Sequence, residues 1–250
     1  MIIVKNVKEE QKKMSNLRRR ILLEKKSEET QKYIQDGLIF ELDGTDKQAT
    51  SQYVWVDKVG GKGFRNDGGV IEISNGFTFN GTRTSILSCD TTLHMQYPTT
   101  STIELVIYPR MVNQWSPIFS PEHWYNDNQY AIVAYHAQNN KPYPAIKYST
   151  MSTNYNNQSY KISNNKLFTC SLFNNRPIYE NKQLITTYNM SDVGTASNKD
   201  YMYVGGRKDG STITTFKGDI HAIRVYDRIL TEEEIFYNQS IDIIKYNIEI

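Results

Sequence analysis

From residue 37 onward, short apolar runs alternate with polar turn residues. Across residues 102–108, Ile103, Leu105 and Ile107 fall on one side of an extended backbone, and Glu104, Val106 and Tyr108 fall on the other. Runs of the same kind occupy residues 38–42, 77–79, 130–136, 145–148, 167–173, 201–204 and 218–226. Gly60-Gly61, Gly68-Gly69, Asn75-Gly76, Asn80-Gly81 and Gly205-Gly206 punctuate them, and Gly205-Gly206-Arg207-Lys208 reads as a hairpin turn. The pattern predicts an all-β domain over residues 37–250, built of antiparallel sheets packed face to face. Residues 1–36 differ: they hold no Gly or Pro and place Val7, Met14, Leu17 and Ile21 at a and d spacing, which predicts a helical N-terminal arm.

The stretch from Phe216 to Ile235 is the most specific in the chain. Gly218 introduces a run holding Ile220, Ile223, Val225 and Tyr226, which reads as a buried strand, and Asp227-Arg228 breaks it. Thr231, followed three residues later by Glu234, forms a capping box that opens a helix, expected to be one clipped turn.

This ending resembles the closing motif of laminin-G-like domains in the concanavalin A-like jelly-roll superfamily, a strand G-x-I-x-x-I/V-R-I/V-Y followed by N/D-R-x-L-T/S-x-x-E-I. Gly218, Ile220, Ile223, Arg224, Val225, Tyr226, Asp227, Arg228, Leu230, Thr231, Glu234 and Ile235 fit it place by place. Leu42-Asp43-Gly44, Trp55-Val56-Asp57, the segment from Gly76 to Gly81 and the strand beginning at Thr102 look like earlier elements of such domains. The resemblance implies a two-sheet jelly-roll sandwich, and it is far more specific for fold than for function.

Composition agrees with one sizeable core, since 38% of the 250 residues are hydrophobic and 12% aromatic. The 18 Tyr against 9 Phe and 3 Trp tilt the aromatics towards amphipathic ones, which sugar- and protein-binding surfaces use. Cys89 and Cys170 are too few and too distant for a disulfide framework and read as buried thiols. No apolar run approaches a membrane span, so membrane insertion is not expected. The segment from Met1 to Glu10 lacks the features of a secretory signal peptide, and an exterior role would need another route, such as assembly into a particle.

Residues 1–36 carry ten Lys or Arg against six Asp or Glu, a net +4, which leaves −2 for the rest of a chain of net +2. Three readings of the arm stand open: a helix packed on its own domain, a helix docking on or trimerising with partner subunits through Met14, Leu17 and Ile21, and a solvated leader. Arg18, Arg19 and Arg20 lie among acidic residues with no aromatic platform, so nucleic acid is not an expected partner.

Catalytic patterns are scarce. Retaining glycosidases on related folds carry a strand E-x-D-x-x-E, because two carboxylates must flank one glycosidic bond, and no such strand exists here. Glu232-Glu233-Glu234 suits the dipole of a helix N-terminus, and Glu104 has no acidic neighbour in sequence. His94, His123, His136 and His221 lack zinc-site spacing. No cofactor is expected. The family resemblance leaves room for calcium, with Asn126-Asp127-Asn128 or Asp209 as sources of hard oxygen, but no ligand set is assigned.

Between residues 109 and 165 lie Trp115, Trp124, Tyr125 and several further tyrosines, amid many Asn, Gln and Ser. Aromatic faces stack on sugar rings while amides bond the rim. Trp115, Trp124, Tyr125, Asn126, Asp127 and Asn128 are therefore the candidate glycan site. The expectation is a non-enzymatic virion appendage of a bacteriophage, homo-oligomeric and anchored to other virion proteins by its arm, whose lectin-like domain recognises cell-surface glycan. The alternative is a carbohydrate-active enzyme or its carbohydrate-binding module.

Overall fold

The computed structural model describes residues 32–92, 96–97, 101–110, 116–121, 131–136, 144–149, 160–161, 163, 166–173, 177–187, 196–197, 201–209 and 212–250. The chain divides into two compact units, Met1–Tyr33 and Ile34–Ile250, and the second contains the fold described here. Met14, Leu17 and Ile21, and with them the expected helical arm, lie outside the described residues.

The strands in chain order begin β1 (Leu38–Asp43), β2 (Trp55–Val56), β3 (Gly63–Asn66), β4 (Val70–Ile73), β5 (Gly76–Asn80), β6 (Leu87–Thr92) and β7 (Gln96–Tyr97). Then come β8 (Thr102–Pro109), β9 (Ser116–Pro121), β10 (Ala131–His136), β11 (Pro144–Ser149), β12 (Tyr160–Lys161) and β13 (Phe168–Phe173). The last are β14 (Pro177–Glu180), β15 (Gln183–Thr187), β16 (Ala196–Ser197), β17 (Tyr201–Val204), β18 (Gly206–Asp209), β19 (Thr212–Thr215) and β20 (Lys217–Tyr226). Among the described residues the one helix is α1 (Glu232–Lys245), at the C-terminal end.

Sixteen of these strands form two antiparallel eight-stranded sheets, the expected jelly-roll sandwich, while β7 pairs with β16 and β18 with β19. The first runs β15-β14-β13-β8-β20-β5-β4, with β1 also on β20. β20 organises it: β8 lines one flank, while β5 takes Lys217–Ile220 and β1 takes Ala222–Tyr226 on the other. The register against β8 shifts between Ile220 and Ala222, and there the carbonyl of His221 accepts the Gly44 amide at 2.7 Å. The second sheet runs β12-β11-β10-β9-β17-β6-β3-β2.

Alternation decides which face each strand buries. Ile103, Leu105 and Ile107 of β8, Phe40 and Leu42 of β1, and Ile220, Ile223 and Val225 of β20 point inward. There they meet Phe64, Leu87, Cys89, Phe119, Met202 and Val204 of the second sheet. Phe40 stacks on Phe119 with ring centroids 5.2 Å apart, joining the layers near their middle. Each such side chain removed from water contributes about 1.5–3 kcal/mol. Cys89 and Cys170 are buried free thiols, as the sequence suggested.

The helix departs from expectation in length. Thr231 accepts from the Glu234 amide while Glu234 accepts from the Thr231 amide, so the capping box is present, but the helix continues for 14 residues rather than one turn. The face it buries carries Ile235, Asn238, Gln239, Ile241 and Asp242. Three of those five side chains are polar, so the apolar spacing that marks a helix fades in the sequence after its first turn although the buried face does not.

Gly205-Gly206 is also not a hairpin turn. β17 pairs with β6 and β9, whereas β18 pairs with β19. Gly205, at φ +74°, lets the chain step out of the second sheet, and a Cβ there would lie 2.0 Å from the Phe79 ring. Only glycine fits that passage.

Candidate functional site

Among the described residues two polar groupings bear on a functional site, one sealed and one open. The sealed one lies between α1 and the outer face of the first sheet. Because Ile103 and Leu105 point inward, Glu104 points out towards the helix, and the register sets it opposite Arg224 of β20 and Ser171 of β13. Arg224 Nε donates to Glu104 Oε2 at 3.0 Å and Arg224 Nη2 to Asp242 Oδ2 at 2.5 Å. Asn238 adds bonds to Glu104 and to the Tyr226 hydroxyl at 2.9 and 3.0 Å. Thr169 bonds Asp242 at 2.7 Å, and Gln239 bonds Ser171 at 3.0 Å. Glu104 and Asp242 are 0% exposed and Arg224 1%.

Burial pushes the Glu104 carboxyl up to about 7, against the pull of Arg224 and with the push of Asp242. Such a perturbed acid beside a second carboxylate would mark an active site if it lined a cleft. Here Tyr226, Leu230 and Ile235 cover one flank and Val106, Ala222, Tyr246 and Ile248 the other. The three charged groups are closed off from solvent there. Its role is to fix the helix on the sheet.

The open place is the outer face of the second sheet. Met202 and Val204 of β17 enter the core, so Tyr201 and Tyr203 stand on the opposite side, and Tyr201 is 45% exposed. Register places Tyr203 beside Ser88 of β6 and Ser88 beside Arg65 of β3, a row crossing three strands. The Tyr53 ring lies against Gly63, where a Cβ would be 2.2 Å from it, and the Arg65 guanidinium sits 5.9 Å from that ring's centroid. Lys208 of β18 sits 5.8 Å from the centroid of Tyr203 and pairs with Asp67. Asp67 accepts in addition from the Ser88 hydroxyl at 2.6 Å. On the far side of Tyr203, Ser120 of β9 donates to the Gly206 carbonyl at 3.0 Å, so β18 borders the row there. Tyr203 is itself only 5% exposed, so the solvated part of this face is the Tyr201 ring with Arg65 and part of Lys208, a surface suited to holding a polar ligand with apolar patches.

The candidate residues read from sequence, Trp115, Trp124, Tyr125, Asn126, Asp127 and Asn128, lie outside the described residues. In sequence Trp115 directly precedes β9 and the other five come after its end; β9 itself pairs with β17. Tyr201 and Tyr203 belong to a run already read as a strand, and their alternate spacing was the available signal. Arg65, Ser88 and Tyr53 gave none, because only pairing between distant segments joins them to the tyrosines. Among the described residues no three His, Cys, Asp or Glu side chains cluster as metal ligands. The backbone of Asp209 lies in β18, and no helix among the described residues is long and apolar enough to cross a membrane.

Fold and face together define a lectin-type β-sandwich. Residues 80–236 match a laminin-G-type family model described as the Concanavalin A-like lectin/glucanases superfamily, and the chain belongs to that family. No curated protein matches it in sequence.

Among solved structures it is similar to Trypanosoma rangeli sialidase in complex with 2,3-difluorosialic acid, at TM-score 0.55 and 15% identity, over 83% of this chain and 33% of the sialidase. The chain thus spans about a third of that enzyme. It is similar to domain 4 of AbnA, a GH43 extracellular arabinanase from Geobacillus stearothermophilus, in complex with arabinotriose. That match has TM-score 0.52 and 15% identity, over 81% of this chain and 98% of that one. A third is the binding domain of botulinum neurotoxin serotype G, at TM-score 0.55 and 16% identity, over 82% and 51% of the two chains. At such identities the likeness is one of fold.

Proposed function

We propose that this chain is a glycan-recognition domain that binds sugar on the open face of its second sheet and does not itself cleave it. The observation that carries the reading is the exposed ring of Tyr201, standing on the same side of the sheet as the row of Arg65, Ser88 and the buried Tyr203, with Tyr53 under Arg65. The exposed Tyr201 ring offers a face to the apolar side of a sugar while polar groups beside it take its oxygens. Among the described side chains Asp67 is the one carboxylate on this face, whereas bond cleavage between sugars calls for two. The oligosaccharide in the arabinanase domain and the sialic acid analogue in the sialidase support sugar as the ligand class.

A place on a virus particle, with residues 1–36 as anchor and oligomer contact to other virion proteins, belongs to the same proposal. What supports it is the basic, Gly- and Pro-free composition of that segment.

The test is a glycan array run on wild type and on Tyr201→Ala, Trp115→Ala, Trp124→Ala and Tyr125→Ala, with thermal melting alongside. Binding lost in Tyr201→Ala at unchanged melting temperature supports the sheet face. Binding lost only in the tryptophan or Tyr125 variants moves the site to the segments flanking β9. Release of reducing sugar from a bound glycan would make the chain an enzyme instead.

A further inference from the structure

We infer that Asn80 is a self-modification site: the Gly81 backbone nitrogen, assisted by Thr82, displaces its side-chain amide, while the same dipeptide at Asn75-Gly76 stays intact. The chain holds two Asn-Gly pairs, one at each end of β5. Sequence alone does not separate them.

The chemistry is intramolecular and needs only water. The Gly81 nitrogen gives its proton to solvent base and adds to Asn80 Cγ, so that a C–N bond forms and charge moves onto Oδ1. The intermediate expels Nδ2, which leaves as ammonia with a proton from water, and a cyclic imide remains. Water then opens the ring at either carbonyl, giving aspartate or isoaspartate. One ammonia is released for one water consumed, and nothing is oxidised or reduced.

At Asn80 the parts are in place. Asn80, Gly81 and Thr82 are all exposed. Asn80 Oδ1 accepts from the Thr82 amide at 2.8 Å and from the Thr82 hydroxyl at 2.7 Å, so two donors already sit where charge develops in the addition step. Among the described residues no group bonds Nδ2 and no acceptor takes the Gly81 amide hydrogen. Gly81, at φ +80°, puts no Cβ in the way.

At Asn75 the backbone is held. Gly76 is buried in the ladder opposite Ile73, and a Cβ there would lie 2.4 Å from the Ile220 carbonyl oxygen. The Asn75 carbonyl accepts from His221 Nδ1 at 2.8 Å. The peptide plane that must turn for ring closure is thus gripped by β4 on one side and β20 on the other.

The two products differ in what they do to the fold. Aspartate at position 80 keeps the acceptor for Thr82 and gains a charge opposite Lys217, its partner in register. Isoaspartate lengthens the backbone and pulls the Asn80 amide from Ser85 Oγ, to which it donates at 2.9 Å, so the loop leading into β6 loosens.

The test ages the full chain in mildly alkaline buffer, native and in urea. Fragmentation mass spectrometry resolves positions 75 and 80, and isoaspartyl methyltransferase labelling reports the isoaspartate. In the native chain Asn80 is expected to convert about tenfold or more faster than Asn75, because the ladder must open before Asn75 can react. In urea the two should converge. Thr82→Val removes the hydroxyl donor and keeps the amide, and it should slow Asn80 several-fold in the native chain while leaving the urea rate unchanged. Asn80 intact in a native chain, equal native rates at the two sites, or a Thr82→Val variant as fast as wild type would each overturn the inference.

Discussion

Replacing Arg224 by methionine removes the cation at the centre of the sealed layer and keeps much of its volume. Two carboxylates, Glu104 and Asp242, each wholly buried and within 3.0 Å or less of the guanidinium, are left facing one another. Breaking a buried ion pair by removing one partner costs about 3–5 kcal/mol, and here one cation serves two anions, so the upper part of that range is expected at about pH 8.

The loss has an outlet. Glu104 already sits at about 7, and without Arg224 it moves higher still, so lowering the pH protonates it in the folded variant first. Each unit of further rise returns about 1.4 kcal/mol once the pH lies well below both values. Urea unfolding at about pH 8 and about pH 5 should therefore show a difference between wild type and variant that shrinks by about 1–2 kcal/mol at the lower pH, at constant m-value. Adding Glu104→Gln to Arg224→Met should recover part of the loss at the higher pH. A loss below about 1 kcal/mol at both pH values, or one that grows on acidification, would refute the account of the layer as a charge-balanced clamp.

Glu104→Gln alone tests the sign of the titration. A raised carboxyl stabilises the fold fully below its ordinary value of 4.5 and loses that contribution as pH climbs through about 7, so the variant's urea midpoint should be flatter across this window than the wild type's. Gly205→Ala should cost about 3 kcal/mol or more in thermal melting, because both the positive φ and the Phe79 ring oppose a Cβ. Thr231→Ala should cost about 1 kcal/mol by loss of the N-cap, read in urea unfolding with α1 signal followed by circular dichroism. A chain starting at Gly37 should be less stable by about 1–2 kcal/mol than one starting at Ile34, since the Ile34 amide donates to Asn238 Oδ1 at 3.0 Å and its side chain packs by Tyr226 and Ile235.

Strands that alternate strongly were legible. Ile103, Leu105 and Ile107, or Ile220 through Tyr226, declare an inner face without any partner in view. Strands such as Ser116–Pro121, with prolines near both ends, or Leu87–Thr92, rich in small polar residues, declare nothing. Their strand character comes from neighbours, Phe119 against Phe40 and Leu87 beside Val204, and so belongs to tertiary structure. The same division governs chemistry. Glu104 looked solitary because partners of its carboxylate stand 120 and 134 residues further along, at Arg224 and Asn238. Arg65 and Tyr203 are likewise joined only through Ser88. A capping box is written within four consecutive residues and could be read directly, whereas a polar buried face on a helix has no signature distinct from a solvated one.

The shared flank of β20 has a consequence for synthesis. β1, β5 and β8 emerge from the ribosome early, yet none of them is paired with another of the three; each waits for the same strand, translated long after them. Until it arrives, three apolar strands stand without the edge they were shaped for, and the first sheet cannot close by local zipping. Folding of this domain is therefore expected to be late and abrupt rather than progressive, with a nascent chain that relies on holding chaperones and a refolding yield that falls steeply with concentration.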